Sequence, residues 1–119
     1  EVKLLVQVVL ENFEKLNKKF EGEVYIHDPC NPYDLEEIYS APRELLSKMG
    51  CKVKEFSKNK SESMCCGYNL KIHSPKIADA MAKKRSVKGK LVTICPACFM
   101  HLKQSCPELD VVELSEVLI

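Results

Sequence analysis

Apolar side chains recur at intervals of three and four residues along the first part of the chain. The positions that would share one helical face are Val2, Leu5, Val6, Val9, Phe13, Leu16 and Phe20. The opening run "LLVQVVL" would also suit a buried strand, but the period continues to Leu16 and favours a helix. We therefore predict a helix over residues 2–20.

Short β-rich runs alternate with further helical stretches in the rest of the chain. The strands are predicted at about residues 23–27 and in "CKVKEF", "KLVTI" and "DVVEL". The helices are predicted in "YDLEEIYSAPRELLSKMG", with a fresh start at Ser40 and Pro42, then from Pro75, from Pro96 and in "SEVLI". This alternation predicts an α/β fold, a mainly parallel sheet flanked by helices, in a single domain over residues 1–119.

Composition and charge exclude several classes of protein. Apolar residues make up 45% and charged residues 29%, which is globular composition. With 18 basic and 17 acidic residues, the net charge of +1 predicts no nucleic-acid partner and no anionic membrane surface. No apolar run is long enough to predict a membrane span, and no signal peptide is evident. We expect a cytoplasmic protein, and the first residue, Glu1, is typical of a fragment of a longer chain.

Cysteine is the unusual component, with seven residues in 119. An odd number excludes complete internal disulfide pairing and favours metal binding or redox chemistry. "CPAC" at 95–98 places two thiols at a predicted helix start, where exposed amides favour thiolates. That geometry suits a redox dithiol or half of a metal site. Cys65 and Cys66 are adjacent and precede Gly67, so one tight loop could supply two thiolates.

Strand ends connect these motifs to a further cysteine. Cys30 follows the predicted strand 23–27 after "HDP", and Cys95 directly follows "KLVTI". Ligands of parallel sheets bind at the carboxyl ends of strands, so we expect five cysteines to converge there. They are Cys30, Cys65, Cys66, Cys95 and Cys98. A four-cysteine zinc site would leave one unexplained, whereas iron–sulfur clusters are also held by thiolates.

The order "HDPC", "YSAPRELL", "CCG" and "TICPACFMHL" resembles the cysteine-rich CCG domain, which occurs in a subunit of heterodisulfide reductases and in the iron–sulfur subunit of glycolate oxidase. The resemblance runs from about Tyr25 to Leu118. It implies an iron–sulfur cluster, in heterodisulfide reductases a noncubane 4Fe–4S type, and maps the family's ligands onto the five cysteines named above. Some members of this broad group bind zinc instead.

Other candidate residues have plainer interpretations. Cys51 and Cys106 are expected to be structural thiols outside the metal site. His27 is expected to make hydrogen bonds rather than to coordinate a metal. Asp28 precedes a proline and is interpreted as a turn residue, and "KKR" at 83–85 as the solvated face of a helix.

Two function classes follow from these observations. The first is an iron–sulfur electron-transfer module within an oxidoreductase complex, and the alternative is a zinc-binding structural or interaction domain. A thiol-only redox domain would use CPAC and leave CCG without a role. No GxGxxG occurs among the four glycines, so we expect electrons to come from another subunit or domain rather than from a nicotinamide or flavin bound here.

Overall fold

The computed structural model describes residues 5–15, 22–29 and 36–118. Its helices and strands, in chain order, are α1 (Leu5–Glu11), β1 (Gly22–His27), α2 (Glu37–Lys48), β2 (Cys51–Lys54), α3 (Pro75–Lys83), β3 (Lys90–Thr93), α4 (Pro96–Ser105) and β4 (Asp110–Glu113). Short 3-10 helices lie at Phe13–Lys15, Lys60–Glu62, Tyr68–Leu70 and Leu114–Leu118. Cys30 lies outside the described residues, as do Val2, Leu16 and Phe20 of the predicted first helix.

The four strands form one parallel sheet in the order β2-β1-β3-β4. Val24 of β1 is opposite Val53 of β2 on one side and Lys90 of β3 on the other. Parallel strands need crossover connections: α2 connects the neighbours β1 and β2, α3 leads from β2 past β1 to β3, and α4 connects the neighbours β3 and β4. The predicted α/β class with a mainly parallel sheet is therefore confirmed.

Side chains of each strand alternate between two hydrophobic layers on opposite sides of the sheet. The layer named here the aliphatic face contains Val6, Val24, Ile26, Ala41, Leu45, Leu46, Met49, Cys51, Val92 and Leu114. The layer named here the sulfur face contains Cys66, Ala82, Leu91, Cys98, Leu102, Cys106, Leu109 and Val111. Helices α1 and α2 pack together beside the aliphatic face, and α3 packs on α4 beside the sulfur face.

The interruption predicted at Ser40 and Pro42 is absent from helix α2. It runs without a break from Glu37 to Lys48, with Pro42 inside it. A proline in a helix interior removes one backbone hydrogen bond and costs about 3 kcal/mol in isolation. Here Pro42 is buried together with Leu45 and Leu46, and this burial offsets the loss. Gly50 follows with a φ of 102°, a left-handed conformation that ends the helix.

The helices that begin at prolines are confirmed. Pro75 and Pro96 both occupy the first turn of their helices, where a missing N–H costs nothing. The first helix is shorter than predicted within the described residues, since α1 ends at Glu11 and a 3-10 turn follows at Phe13. No helix in the described ranges is long and apolar enough to cross a membrane.

Candidate metal centre

The candidate site lies at the carboxyl ends of the two central strands. His27 ends β1 and Thr93 ends β3, and these residues are paired in the sheet register. The strand order reverses here, because the chain passes from β1 outward to β2 and then returns to β3 on the other side of β1. Ligands of open α/β sheets bind in the crevice formed at such a reversal.

Helix α4 starts at this crevice and presents the CPAC cysteines. Cys95 is the residue that precedes the helix, and Cys98 lies in its first turn with 3% of its surface exposed. The Cys95 N–H donates to Oγ1 of Thr93 over 3.2 Å, and the Cys95 carbonyl accepts the first helical hydrogen bond from Phe99. The unpaired amides of this helix start favour negative charge on nearby sulfur.

The loop between β2 and α3 supplies the adjacent cysteines. Cys66 is buried, and the N–H of Gly67 donates to Sγ of Cys65 over 3.3 Å. Gly67 has a φ of +100°, and a Cβ there would lie 2.6 Å from the backbone oxygen of Ala78. A side chain at position 67 would therefore both strain the backbone and collide with α3. Glycine at this position thus allows the backbone of the loop to pass close to α3.

Three buried side chains converge in the crevice. Sγ of Cys66, Sγ of Cys98 and a ring nitrogen of His27 all lie within 4.8 Å of one another. A hydrogen bond between the two thiols lowers the pKa of Cys66 and raises the pKa of Cys98. A hydrogen bond and a charge interaction with Cys95 raise the pKa of Cys98 further. Sulfur from both motifs therefore meets at one place.

His27 differs from its predicted role. It is fully buried, and neither ring nitrogen has a partner at hydrogen-bonding distance and angle, although its proximity lowers the pKa of Cys66. An unsatisfied buried polar group costs about 1–3 kcal/mol, and coordination of a metal would satisfy one of the two nitrogens. The sequence did contain a signal, because alternation along β1 puts residue 27 on the same side of the sheet as Tyr25, which packs on the sulfur face.

Asp28 is a structural anchor and not merely the turn residue that was predicted. Its buried carboxylate accepts two hydrogen bonds from the guanidinium of Arg43, over 2.8 and 2.7 Å. The backbone N–H of Lys60 donates to the same carboxylate over 2.7 Å. The Asp28 carbonyl accepts a hydrogen bond from the Ser63 hydroxyl. These contacts tie the loop that carries the adjacent cysteines to the end of β1.

Arg85 corrects the interpretation of "KKR" as a solvated face. Lys83 and Lys84 are exposed, but Arg85 is only 3% exposed. Its Nη2 donates to the carbonyl of Met64 over 2.6 Å, directly before the adjacent cysteines. Single-sequence periodicity did not indicate this, since Arg85 follows the last helical turn.

The remaining cysteines and histidines lie elsewhere. Cys51 is buried on the aliphatic face at the start of β2, paired with Gly22, which is the opposite end of the sheet from the crevice. Cys106 is buried in the sulfur face just after α4, and burial raises the pKa of both thiols. Nε2 of His101 lies 2.9 Å from the carbonyl oxygen of Ala78, and His73 is exposed.

The chain belongs to the CCG family of cysteine-rich domains, which it matches over residues 24–103. The match includes most of β1, both cysteine motifs and most of α4. The resemblance noted from the sequence motifs is therefore confirmed.

Three similar proteins are an iron–sulfur protein and two reductase subunits. An uncharacterised iron–sulfur protein of Methanocaldococcus jannaschii is 29% identical, over 88% of this chain and 22% of its own length. A subunit of the CoM/CoB fumarate reductase of Methanothermobacter marburgensis is 30% identical, over 69% of this chain and 18% of its own. A subunit of the dihydromethanophenazine:CoB–CoM heterodisulfide reductase of Methanosarcina barkeri is 31% identical, over 84% of this chain and 28% of its own length.

The chain thus corresponds to between 18% and 28% of the length of these relatives. No solved structure matches it significantly.

The side chains in the crevice fit a thiolate-bound metal group. Soft thiolate sulfur is the ligand that iron–sulfur clusters and zinc both prefer, and the buried imidazole of His27 is oriented toward the same sulfur atoms. The donor set and the membership of the CCG family together support an iron–sulfur cluster at this position.

Proposed function

We propose that this domain binds an iron–sulfur cluster and transfers electrons within an oxidoreductase complex. The observation that carries the proposal is the meeting of Cys66, from the loop before α3, and Cys98, from the start of α4, with the buried imidazole of His27. Iron–sulfur clusters are held by cysteine thiolates in such buried, strand-end positions.

The proposed ligands are the five cysteines of the family motif. They are Cys30, Cys65, Cys66, Cys95 and Cys98. Cys66 and Cys98 lie deepest, and Cys65 and Cys95 are half-buried around them. The cluster would supply one-electron transfer when bound. The chain would position the sulfur atoms, exclude water through Leu91 and Leu102 of the sulfur face, and stabilise the thiolates at the start of α4.

We further propose that other subunits or domains supply the electrons and the substrate site. The relatives include subunits named for fumarate reductase and heterodisulfide reductase, and each is several times longer than this chain. We infer that this domain passes electrons inside an assembly of that kind and does not turn over substrate by itself. The cysteine-rich composition favours a reducing compartment such as the cytoplasm.

Anaerobic reconstitution tests the proposal directly. The purified chain is incubated with ferrous iron and sulfide, desalted, and analysed for iron, sulfide and zinc per chain. We expect bound iron and sulfide, visible charge-transfer absorption and an electron paramagnetic resonance (EPR) signal in one of the accessible redox states. Cys98→Ser should lose most of the iron, whereas the matched control Cys106→Ser, a buried thiol just beyond the same helix, should keep it. Equal iron in both variants would contradict the proposed ligand set.

Zinc is the second candidate, and one observation favours it. A nitrogen from His27 with sulfur from Cys66 and Cys98 forms part of the mixed tetrahedral set that structural zinc sites use. If zinc is the resident ion, zinc-free growth medium should reduce the yield of folded protein, and iron with sulfide should not produce a stable coloured species. Elemental analysis of the anaerobically purified chain decides between the two metals.

A further inference from the structure

Arg85 is a buried cation directly behind the loop of adjacent cysteines. Its side chain is only 3% exposed, and it lies just after α3, where Lys83 and Lys84 at the helix end remain in solvent. Burial disfavours the charged form and lowers the pKa of the guanidinium, although arginine stays protonated in proteins. A full positive charge is therefore held inside the protein, next to the candidate metal centre.

The side-chain contacts of Arg85 are to residues of the cysteine loop, the segment 55–74 between β2 and α3 that carries Cys65 and Cys66. Nη2 donates to the carbonyl of Met64 over 2.6 Å and to the hydroxyl of Ser63 over 3.0 Å. The guanidinium carbon lies 4.5 Å from the ring centroid of Phe56, in a cation–π contact. These bonds reach the two residues that precede Cys65. The position of the cysteine pair therefore depends on where Arg85 is held.

The charge of Arg85 has no carboxylate that forms an ion pair with it within the described ranges. The buried carboxylate of Asp28 attracts the charge of Arg85 most strongly, but it forms its ion pair with the guanidinium of Arg43, at 2.7 Å. Nε of Arg85 is buried without a hydrogen-bond partner. An unpaired buried charge is costly unless another charge compensates it. The remaining acidic groups that it faces are the thiols of Cys65 and Cys66, which become negative when they bind a metal.

We propose that Arg85 is a positioning residue that fixes the cysteine loop and, by compensating thiolate charge, raises the reduction potential of the metal group held there. The inference rests on the proposed iron–sulfur function. Reduction adds an electron to a group that is already surrounded by thiolates, and a nearby positive charge in a low-dielectric interior stabilises the added charge.

The electrostatic effect of Arg85 can be distinguished from its anchoring of the cysteine loop with two substitutions at Arg85 and one nearby control. Arg85→Gln removes the charge and Arg85→Lys retains it. Lys84→Gln removes the same charge one residue away in solvent, where it is screened. The midpoint potential of each reconstituted chain is measured by potentiometric titration followed by EPR.

At a fixed applied potential, we expect Arg85→Gln to lower the ratio of reduced to oxidised protein about tenfold, which for one electron is about 59 mV. Arg85→Lys should shift this ratio much less, and Lys84→Gln should leave it at the wild-type value. Equal ratios in Arg85→Gln and Lys84→Gln would overturn the electrostatic role, as would equal shifts in Arg85→Gln and Arg85→Lys.

Hydrogen exchange of the metal-free chains provides a measurement that needs no cluster. Peptides covering residues 60–70 should exchange faster in Arg85→Gln than in the wild type, while peptides from α2 should be unchanged. Unchanged exchange in residues 60–70 would overturn the anchoring role, even if Arg85→Gln failed to take up iron. A wild-type chain that binds no iron would refute the proposed function and the role in the reduction potential. The exchange measurement would still decide the anchoring role.

Discussion

The two sides of the sheet differ in the side chains that cover them. The aliphatic face is filled by carbon side chains such as Ile26, Leu45 and Leu46, all at most 1% exposed, and its single cysteine, Cys51, behaves as a small apolar residue. The sulfur face contains three buried thiols and adjoins the unpartnered imidazole of His27. One side therefore satisfies its own packing requirements, whereas the other retains polar groups with no hydrogen-bond partner.

This difference separates stability from function within one small domain. Burial of apolar area on the aliphatic face contributes to folding whether or not a metal is present. On the sulfur face, metal binding would satisfy sulfur and nitrogen atoms that otherwise lack strong partners, so binding energy and folding energy are coupled there. Substitutions on the two sides should consequently respond differently to metal.

The largest expected difference concerns one thiol from each side. Cys66→Ser should abolish or strongly reduce iron incorporation, because a hydroxyl is a poor substitute for thiolate. Cys51→Ser should keep the wild-type iron content and lose about 1–3 kcal/mol of unfolding free energy through a buried hydroxyl. Iron per chain after anaerobic reconstitution and urea denaturation measure the two effects. Equal iron loss in both variants would remove the functional distinction between the faces.

Leu45→Ala tests the independence of the aliphatic face. Leu45 is fully buried, and its truncation should cost about 2–5 kcal/mol of unfolding free energy through lost burial and a cavity. The loss should be the same in the metal-free and metal-loaded chains, as measured by urea denaturation. Leu102→Ala on the sulfur face is the matched control, and its cost should depend on metal. A metal-dependent cost at Leu45 would contradict the comparison.

Asp28→Asn tests the anchor that joins the two sides. The carboxylate is 1% exposed and is bound by Arg43 from α2 and by Lys60 from the cysteine loop. Its removal leaves the partly buried guanidinium of Arg43 with Glu55 as its remaining charged partner beside the Tyr39 carbonyl, and we expect a loss of about 2–3 kcal/mol. Glu55→Gln is the control, since Glu55 is 36% exposed and should cost less than about 1 kcal/mol. Similar losses in the two variants would show that Asp28 is not an anchor.

Gly67→Ala should have the most local effect of the four predictions. The left-handed backbone and the contact with Ala78 should together cost about 1–3 kcal/mol. We expect this strain to be confined to the sulfur face, so hydrogen exchange should increase in residues 60–70 and α3 but not in α2. Gly22→Ala, where a Cβ meets no atom within 4 Å, is a control for the backbone conformation alone. Increased exchange in α2 would show that the two sides are not independent.

Local patterns predicted most of the fold because they act within a few residues. The prolines at 75 and 96 and the short β-rich runs were sufficient to place α3, α4 and the strands. Pro42 was misinterpreted because its place in the helix depends on contacts with residues distant in the chain. Its local preference for a helix start is opposed by packing of α2 against residues distant in the chain, and the burial of Leu45 and Leu46 overrides it.

The part of the site that could be predicted is the part that residue type and spacing indicate directly. CPAC and the adjacent cysteines indicated candidate thiol ligands, and the structure brings Cys66 and Cys98 together. Convergence of all five cysteines stays a prediction, because Cys30 lies outside the described residues. The burial of Arg85 was missed because it follows the last turn of α3, where helical spacing gives no signal, whereas the alternation along β1 did place His27 on the sulfur side of the sheet.

The sequence by itself determined the α/β class, the cysteine motifs and the family, because periodicity and ligand spacing are local properties of the chain. Only the tertiary structure decided which groups surround the cysteines. The end of β1 supplies His27, the bend after it supplies Asp28, and the chain after α3 supplies Arg85. Burial and unpaired charge depend on atoms far apart in sequence, so the environment that would tune a metal emerges only when the sheet and its helices are assembled.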